Sequence, residues 1–337
     1  NGGGSFQSAL TRVSQADRFN WSCPLTLDPN NSETLYFGSN KLYKTTNRAQ
    51  SWQAISNDLT NGDEGGNIAY NTLTSISVSP VNSNFIYTGS DDGNVWFTSN
   101  GGISWDHISA QLPNRWVSSI CADPHNENIV YVSFSGYRWD EYLSHVFKSE
   151  DNGASWIDIS SNLPEVPVNK ILADPDKEAY LYVATDMGIY HSTNDGEDWQ
   201  SLANGIPLLV ISDLRIHNPT RTLLAATYGR GMYKMDLSLL TIVDENDMFS
   251  FNCYPNPFIN KLNITIPSLI KTNHLKIEVY SMSGENQKTI YDGDFLGTTS
   301  NFTWNGTDQF GRELNAGSYL IKITVDNKIS TKKVVLL

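Results

Sequence analysis

The chain has 337 residues, is 39% hydrophobic and carries a net charge of −13. That apolar content suffices for two globular cores, and the acidic balance disfavours nucleic acid and anionic membranes as partners. The longest apolar run, Ile206 to Ile211, is strand-sized and far short of a membrane span. Three cysteines cannot build a disulfide framework and the six histidines show no ligand spacing, so no metal or cofactor is expected.

In chain order, the opening Asn1-Gly2-Gly3-Gly4-Ser5-Phe6 aligns with Asn100 to Trp105, so the chain is expected to begin inside a repeat of a longer protein. A weaker copy of the same turn is Thr46 to Trp52, and clear copies run Ser99 to Trp105, Glu150 to Trp156 and Thr193 to Trp199. The closing aromatics are separated by 46, 53, 51 and 43 residues, a spacing suited to one four-stranded propeller blade per repeat. In the turn, Asn100, Asp151 and Asn194 are expected to accept backbone N–H bonds, and Gly102, Gly153 and Gly196 to take positive φ. Trp105, Trp156 and Trp199 are expected to pack between sheets. Turn chemistry accounts for all of these residues, so the motif reads as architecture and not catalysis.

Each repeat opens with an apolar run stopped by proline: Pro24 to Pro29, Ile76 to Pro80, Ile120 to Pro124, Ile171 to Pro175 and Leu214 to Pro219. These predict buried innermost strands. Cys23 and Cys121 fall on them as small buried groups. Second strands follow at Leu35 to Phe37, Phe85 to Tyr87, Ile129 to Tyr131, Leu181 to Val183 and Leu223 to Ala225, and third strands lead into the turns, as in Asn94 to Thr98. The units resemble the BNR or Asp-box propellers, a superfamily that includes sortilin-type proteins, sialidases and xyloglucanase-like glycosidases. The resemblance implies a partial β-propeller of four-stranded blades over residues 1–237. Its last unit, ending Ala225 to Tyr233, lacks the box and looks like a closing blade whose outer strand would come from upstream of this chain.

Residues 238–249 read as an acidic linker, with Cys253 just beyond the junction. From residue 250, short strands separated by Pro, Gly and Asn turns predict a small β-sandwich, and Trp304 to Asp308, Gly311 and Ala316 to Tyr319 resemble the immunoglobulin-like fold of flagellar hook-capping proteins. The motif Tyr254-Pro255-Asn256-Pro257-Phe258, then Gly284, Gly317 with Tyr319, and the terminal pair Lys332 and Lys333, resemble the type IX secretion C-terminal sorting domain of Bacteroidota. That resemblance implies passage through the periplasm and engagement of the outer-membrane translocon and its shuttle protein, with the product secreted or anchored at the cell surface. Upstream of residue 250 there are 14 basic and 29 acidic side chains, so the propeller part alone is near −15.

A propeller blade sends its strand 2–3 loops and its interblade loops to one face, the usual binding face. Here these are Asn61 to Asn67, Ser90 to Gly93, Thr185 to Gly188, Tyr228 to Arg230, and an aromatic and charged insertion from Ser135 to Tyr142. Candidate ligand residues are Tyr137, Arg138, Trp139, Asp140, Asp92, Asp186 and Arg230. Asp91 and Asp92 have an alternative role as a hairpin turn, the insertion could instead pack on a neighbouring blade, and Arg230 could pair with a channel carboxylate. A sialidase would need three clamping arginines, and only eight arginines precede the sorting domain. A xyloglucanase-like hydrolase would need a carboxylate pair, for which Asp63, Glu64, Asp92, Asp140 and Asp186 stand on the right face. The expectation is an exported ligand-binding or interaction platform for a glycan or protein, with an exported glycoside hydrolase as the alternative.

Overall fold

The computed structural model describes all residues except 1–3, 5–7, 63–69, 203–207, 240–250, 267–273, 283, 295–299 and 326–327. The turn copy expected at residues 1–6, the loop carboxylates Asp63 and Glu64 and most of the 238–249 linker therefore lie outside the described residues. The chain divides into two units, Asn1–Leu239 and Leu240–Leu337, and the described residues contain strands and short 3-10 turns but no α-helix.

The first unit is a β-propeller arrangement of five antiparallel sheets. The first blade holds β1 (Leu25–Asp28), β2 (Asn31–Gly38), β3 (Leu42–Thr45) and β4 (Gln53–Ala54); the second holds β5 (Leu73–Val78), β6 (Ile86–Ser90), β7 (Val95–Thr98) and β8 (Asp106–His107). The third comprises β9 (Trp116–Ala122), β10 (Val130–Ser135), β11 (His145–Ser149) and β12 (Ile157–Asp158), and the fourth β13 (Val168–Ala173), β14 (Leu181–Thr185), β15 (Gly188–Ser192) and β16 (Gln200–Ser201). Within each, strands pair in chain order, and the fifth sheet has three strands, β17 (Ile211–His217), β18 (Thr222–Thr227) and β19 (Met232–Asp236). The expected innermost and second strands are all present. Cys23 differs from expectation: it precedes β1, its thiol donating to the Asn20 carbonyl, because Pro24 delays the start of the strand.

The cores are layers between blades. Tyr87, Val95, Phe97 and Ile108 of the second blade pack with Val117, Ile120, Val130, Val132 and Phe134 of the third. Tyr131, Val146, Ile159 and Leu163 of the third pack with Val168, Ile171, Leu181, Val183 and Trp199 of the fourth. A middle strand is covered on both faces, which is why β6, β10 and β14 are buried nearly throughout, with serine and threonine among the buried residues. Contact between blades is tight: a Cβ on Gly89 would come within 2.3 Å of the Val117 side chain.

Innermost strands of successive blades lie side by side, and side chains bridge them. Ser75 and Ser77 Oγ accept the N–H groups of Ile120 and Ala122 at 2.9 Å, and Cys121 Sγ accepts that of Ala173 at 3.3 Å. Cys121 is thus more than a space-filling thiol; it occupies the place in its blade that Ser77 holds in the one before. Three of the inner strands end on a capping aspartate. Asp28, Asp123 and Asp174 accept the N–H two residues on and stand beside the hydroxyl of Tyr36, Tyr131 or Tyr182 on the second strand.

The second unit is a β-sandwich. One sheet has the order β20 (Asn252–Tyr254), β21 (Leu262–Ile266), β24 (Ser300–Trp304); the other runs β23 (Asn286–Gly293), β22 (Leu275–Ser281), β25 (Gly317–Val325), β26 (Lys328–Leu336). Alternating residues Leu262, Ile264, Ile266, Ile277, Val279, Ile321 and Ile323 form the core between them. Trp304 is fully buried there, between Phe258 and Tyr319 at 5.3 Å from each ring.

Candidate functional site

The box turns tie each blade to the one before it and so set the angular frame of the sheets. In the second blade, Asn100 Oδ1 accepts the N–H of Ser104 at 2.9 Å, and Thr98 Oγ1 accepts that of Gly102 at 3.0 Å. Asp151 with Ser149, and Asn194 with Ser192, repeat the pattern in the next two blades. Sequence reasoning missed this preceding hydroxyl, although its spacing repeats in every copy. The tryptophans do more than pack. Trp105, Trp156 and Trp199 donate from Nε1 to the carbonyls of Ile55, Ile108 and Ile159 in the preceding blade, at 2.8–3.0 Å. A Cβ on Gly102, Gly153 or Gly196 would collide with those same isoleucines.

The weaker first-blade turn has Ala49 at φ +62° where the other copies have glycine. Replacing it by glycine relieves a strain of about 1–2 kcal/mol and adds a smaller unfolded-state entropy cost. Ala49→Gly is therefore expected to raise the melting temperature by a few degrees in a thermal scan. An unchanged or lowered midpoint would remove the strain argument.

Inner strands begin on one face of the ring and end on the other, where the box turns lie. Six aromatic side chains of this unit are strongly exposed among the described residues: Phe19, Trp21, Tyr70, Tyr137, Tyr142 and Tyr228. All six lie in segments leading into inner strands or in strand 2–3 loops, so all share the first face. On the opposite face the large exposed apolar residues are aliphatic, such as Ile103 and Val81.

A pocket of about 300 Å³ opens on the aromatic face. Trp116 and Ser118 come from β9, Ser135 from the end of β10, Tyr137 and Arg138 from the insertion, Asn169 from β13, and Val210 and Ser212 from the entry to β17. The Arg138 guanidinium lies 4.9 Å from both the Tyr70 and Trp116 ring centroids, and its Nη2 donates to Tyr70 Oη at 3.2 Å. The insertion is tied down from beneath: Arg115 Nε donates to Glu141 Oε2 at 2.6 Å, with His145 Nε2 3.2 Å from the same oxygen. Burial pushes the Glu141 carboxyl up, but these hydrogen bonds outweigh it and hold the pKa below the ordinary value.

The other expected ligand residues are dispersed. Trp139 turns away to stack near Arg115, 5.7 Å from its guanidinium carbon, and Asp140 is exposed, accepting from Tyr142 Oη. Asp186 supports the wall from behind, accepting from Asn169 Nδ2 at 2.8 Å. Asp92 is buried, accepting from Ser90 Oγ, Asn94 Nδ2 and the Asn61 N–H. Its neighbour Asp91 is fully buried and accepts from Tyr70 N–H, Thr72 N–H and Asn20 Nδ2, with burial pushing its carboxyl up. With Gly93 at φ +85°, this is the hairpin-turn arrangement, extended into an interblade clasp. Arg230 is exposed in the β18–β19 turn and does not line the pocket. Trp116, Ser118, Asn169 and Ser212 were missed because nothing in one repeat marks which inner-strand residues border a pocket shared by three blades.

The sorting motif has its own geometry. Asn256 Oδ1 accepts the Val335 N–H at 2.9 Å and its Nδ2 donates to the Lys333 carbonyl at 3.1 Å, so one side chain stands in for a strand edge beside β26. Phe258 then bridges Leu336 in parallel and buries its ring in the core. Lys332 Nζ donates to the Phe251 carbonyl at 3.2 Å. Nearby Cys253 has its thiol pKa pushed up to about 11 by burial. Tyr319 Oη donates to the Asn315 carbonyl, and Gly284 takes φ +87° after β22. Among the described residues no group of His, Cys, Asp and Glu is arranged to hold a metal, and no helix is long and apolar enough to cross a membrane.

Residues 252–337 match the family described as the Secretion system C-terminal sorting domain. No curated protein matches the chain. Among solved structures, an ancestral GH74 enzyme is similar at 17% identity and TM-score 0.52, over 97% of this chain and 48% of that one. The GH74 enzyme of Niastella koreensis is similar at 15% identity and TM-score 0.51, over 93% and 56%. The Cps50 (Swd1) β-propeller domain of Myceliophteria thermophila is similar at 11% identity and TM-score 0.50, over 96% and 100%. The chain spans about half the length of the two GH74 enzymes, and at these identities the likeness is one of fold. These findings and the geometry describe a β-propeller followed by a type IX C-terminal sorting domain, a protein exported to the secreted or outer-surface location.

Proposed function

We propose that the exported propeller is a glycan-binding platform that takes its ligand on the face where the inner strands begin. The observation that carries this reading is the confinement of all six strongly exposed aromatic side chains to that face. Aromatic planes set among hydroxyl and amide groups suit sugars, whose rings present apolar C–H faces and polar edges; Ser118, Ser135, Asn169 and Ser212 supply the polar part beside Trp116 and Tyr137. The inner strands present Trp116, Ser118, Asn169 and Ser212 from rigid elements, and the insertion anchored by Arg115 and Glu141 presents Tyr137 with little ordering cost.

Hydrolysis is the weaker reading. Glycosidases work with a pair of carboxyl groups flanking the bond, and none of the residues lining the pocket is acidic.

A glycan array with the 337-residue protein, followed by calorimetry on the hits, tests the proposal. Trp116→Ala is expected to weaken binding about tenfold or more, while Trp139→Ala, directed away from the pocket, changes it little. Absence of any bound glycan, or equal binding by Trp116→Ala, rejects it.

A further inference from the structure

The aromatic pocket continues inward. It shares Ser118, Asn169 and Ser212 with a central channel of about 540 Å³ that is lined by the innermost strands of all five sheets. The charged residues lining the channel are Lys170, Asp213 and Arg215. Lys170 Nζ is 3.6 Å from Asp213 Oδ1, and Arg215 Nε is 3.3 Å from Asp213 Oδ2. One carboxylate therefore stands between two cations. The local balance is positive inside a unit that carries twice as many acidic as basic side chains.

The donor arithmetic points the same way. An ammonium has three donors and a guanidinium five, and Asp213 can engage a minority of those eight. The Lys170 side chain is 17% exposed and Arg215 64%, so one cation lies deep in the wall and the other reaches into the lumen. Burial pulls the Lys170 pKa below its ordinary value, with Asp213 opposing and Arg215 reinforcing the fall. The neighbouring Ser75, Ser77 and Cys121 already accept backbone N–H groups of adjacent strands. A ligand entering past Trp116 meets the two cations as the charged groups without a full complement of partners.

We propose that Lys170 and Arg215 form an anion-binding subsite at the inner end of the aromatic pocket, so that the glycan bound on this face is an acidic one. The inference rests on the glycan-binding reading above. Its chemistry is an anionic group on a sugar ring, a carboxylate or a sulfate, held by paired charge-assisted hydrogen bonds.

The test compares an oligogalacturonate, the same oligosaccharide with its carboxyl groups reduced to alcohols, and a sulfated oligogalactan, each titrated against the 337-residue protein. The expected result is at least tenfold tighter binding of an acidic probe than of the reduced one, lost on raising the salt concentration. Arg215→Gln, at an exposed position compatible with folding, should abolish that preference, and Lys170→Met should do the same where it folds. Preference for the sulfated probe with the same loss in Arg215→Gln identifies sulfate as the group. Equal binding of acidic and neutral probes, or an acidic preference that survives Arg215→Gln, overturns the subsite; a continuing loss in Trp116→Ala then shows that the glycan-binding face stands without it. Failure of every saccharide, neutral and acidic, overturns both.

Discussion

Arg221→Ala is expected to destabilise the propeller unit by about 3–5 kcal/mol at neutral pH, the cost of stranding a buried charge. Asp174 caps the inner strand β13, has no exposed side-chain surface, and is gripped by both Arg221 nitrogens, Nη1 to Oδ1 at 2.8 Å and Nη2 to Oδ2 at 2.7 Å. Arg221 stands in the turn between β17 and β18, so the pair joins the fourth blade to the fifth. Elsewhere the joint between blades is made by a box tryptophan, which the fifth sheet lacks; the ion pair, with Asn218 Nδ2 donating to Asp176 at 2.8 Å, takes over that role. Burial would raise the Asp174 carboxyl, but the hydrogen bonds from Arg221 reverse it and leave the pKa lowered. A carboxyl depressed in the folded state contributes stability that is complete above its unfolded value, about 3.9, and is lost as the pH falls through the lower folded value. Thermal melts should therefore show the wild-type advantage over Arg221→Ala at pH 7 and its decline below about pH 4. Replacing both partners with apolar residues of similar size should cost much less than either single change. A loss below about 1 kcal/mol in Arg221→Ala, or a gap that persists unchanged in acid, would show that the pair is not the joint.

The architecture was legible because a blade is a local object. Its box turn, its proline-stopped inner strand and its aromatic second strand each lie within a stretch of about fifty residues, and their order fixes the antiparallel pairing. What escaped sequence reading joins residues roughly fifty positions apart. The Ile108 carbonyl that receives Trp156, the Ala173 N–H that finds Cys121, and the Arg221 that reaches Asp174 all belong to the neighbouring blade. Ser149 shows a different kind of miss: the signal was present two residues before Asp151, but a hydroxyl at the end of a strand carries no mark until its acceptor role is seen.

The candidate site divides in the same way. Tyr137 and Arg138 were found because an insertion breaks the repeat, and insertions are visible without structure. Trp116, Asn169 and Ser212 come from three different inner strands, and only the closing of those strands around one axis brings them to a common pocket. Asp92 points the opposite way: a short acidic turn looks available in sequence, yet Ser90, Asn94 and Asn61 consume its acceptors. Acceptor demand within a turn is set by backbone geometry, which the pattern Asp-Asp-Gly does not reveal.

Phe258→Ala should cut export severely while leaving the propeller folded. The ring is 1% exposed, packs against Trp304, and belongs to the segment that bridges Leu336 on the last strand. Truncating a buried phenylalanine costs about 3–5 kcal/mol. A domain of this size has about twice that in total at the middle of the usual range of about 0.05–0.15 kcal/mol per residue. The loss falls on the clasp that holds β26, since Phe258 N–H also donates to the Val335 carbonyl and its own carbonyl accepts from Leu337. Asn256→Ala removes two exposed hydrogen bonds to the same strand and should cost only about 1–2 kcal/mol, leaving export reduced but measurable. The ratio of extracellular to periplasmic protein in a type IX-competent host, read beside limited proteolysis of the sorting domain, checks both variants. If Phe258→Ala is exported normally although its sorting domain has become protease-sensitive, the exporting machinery reads the terminal sequence and not the clasped sandwich.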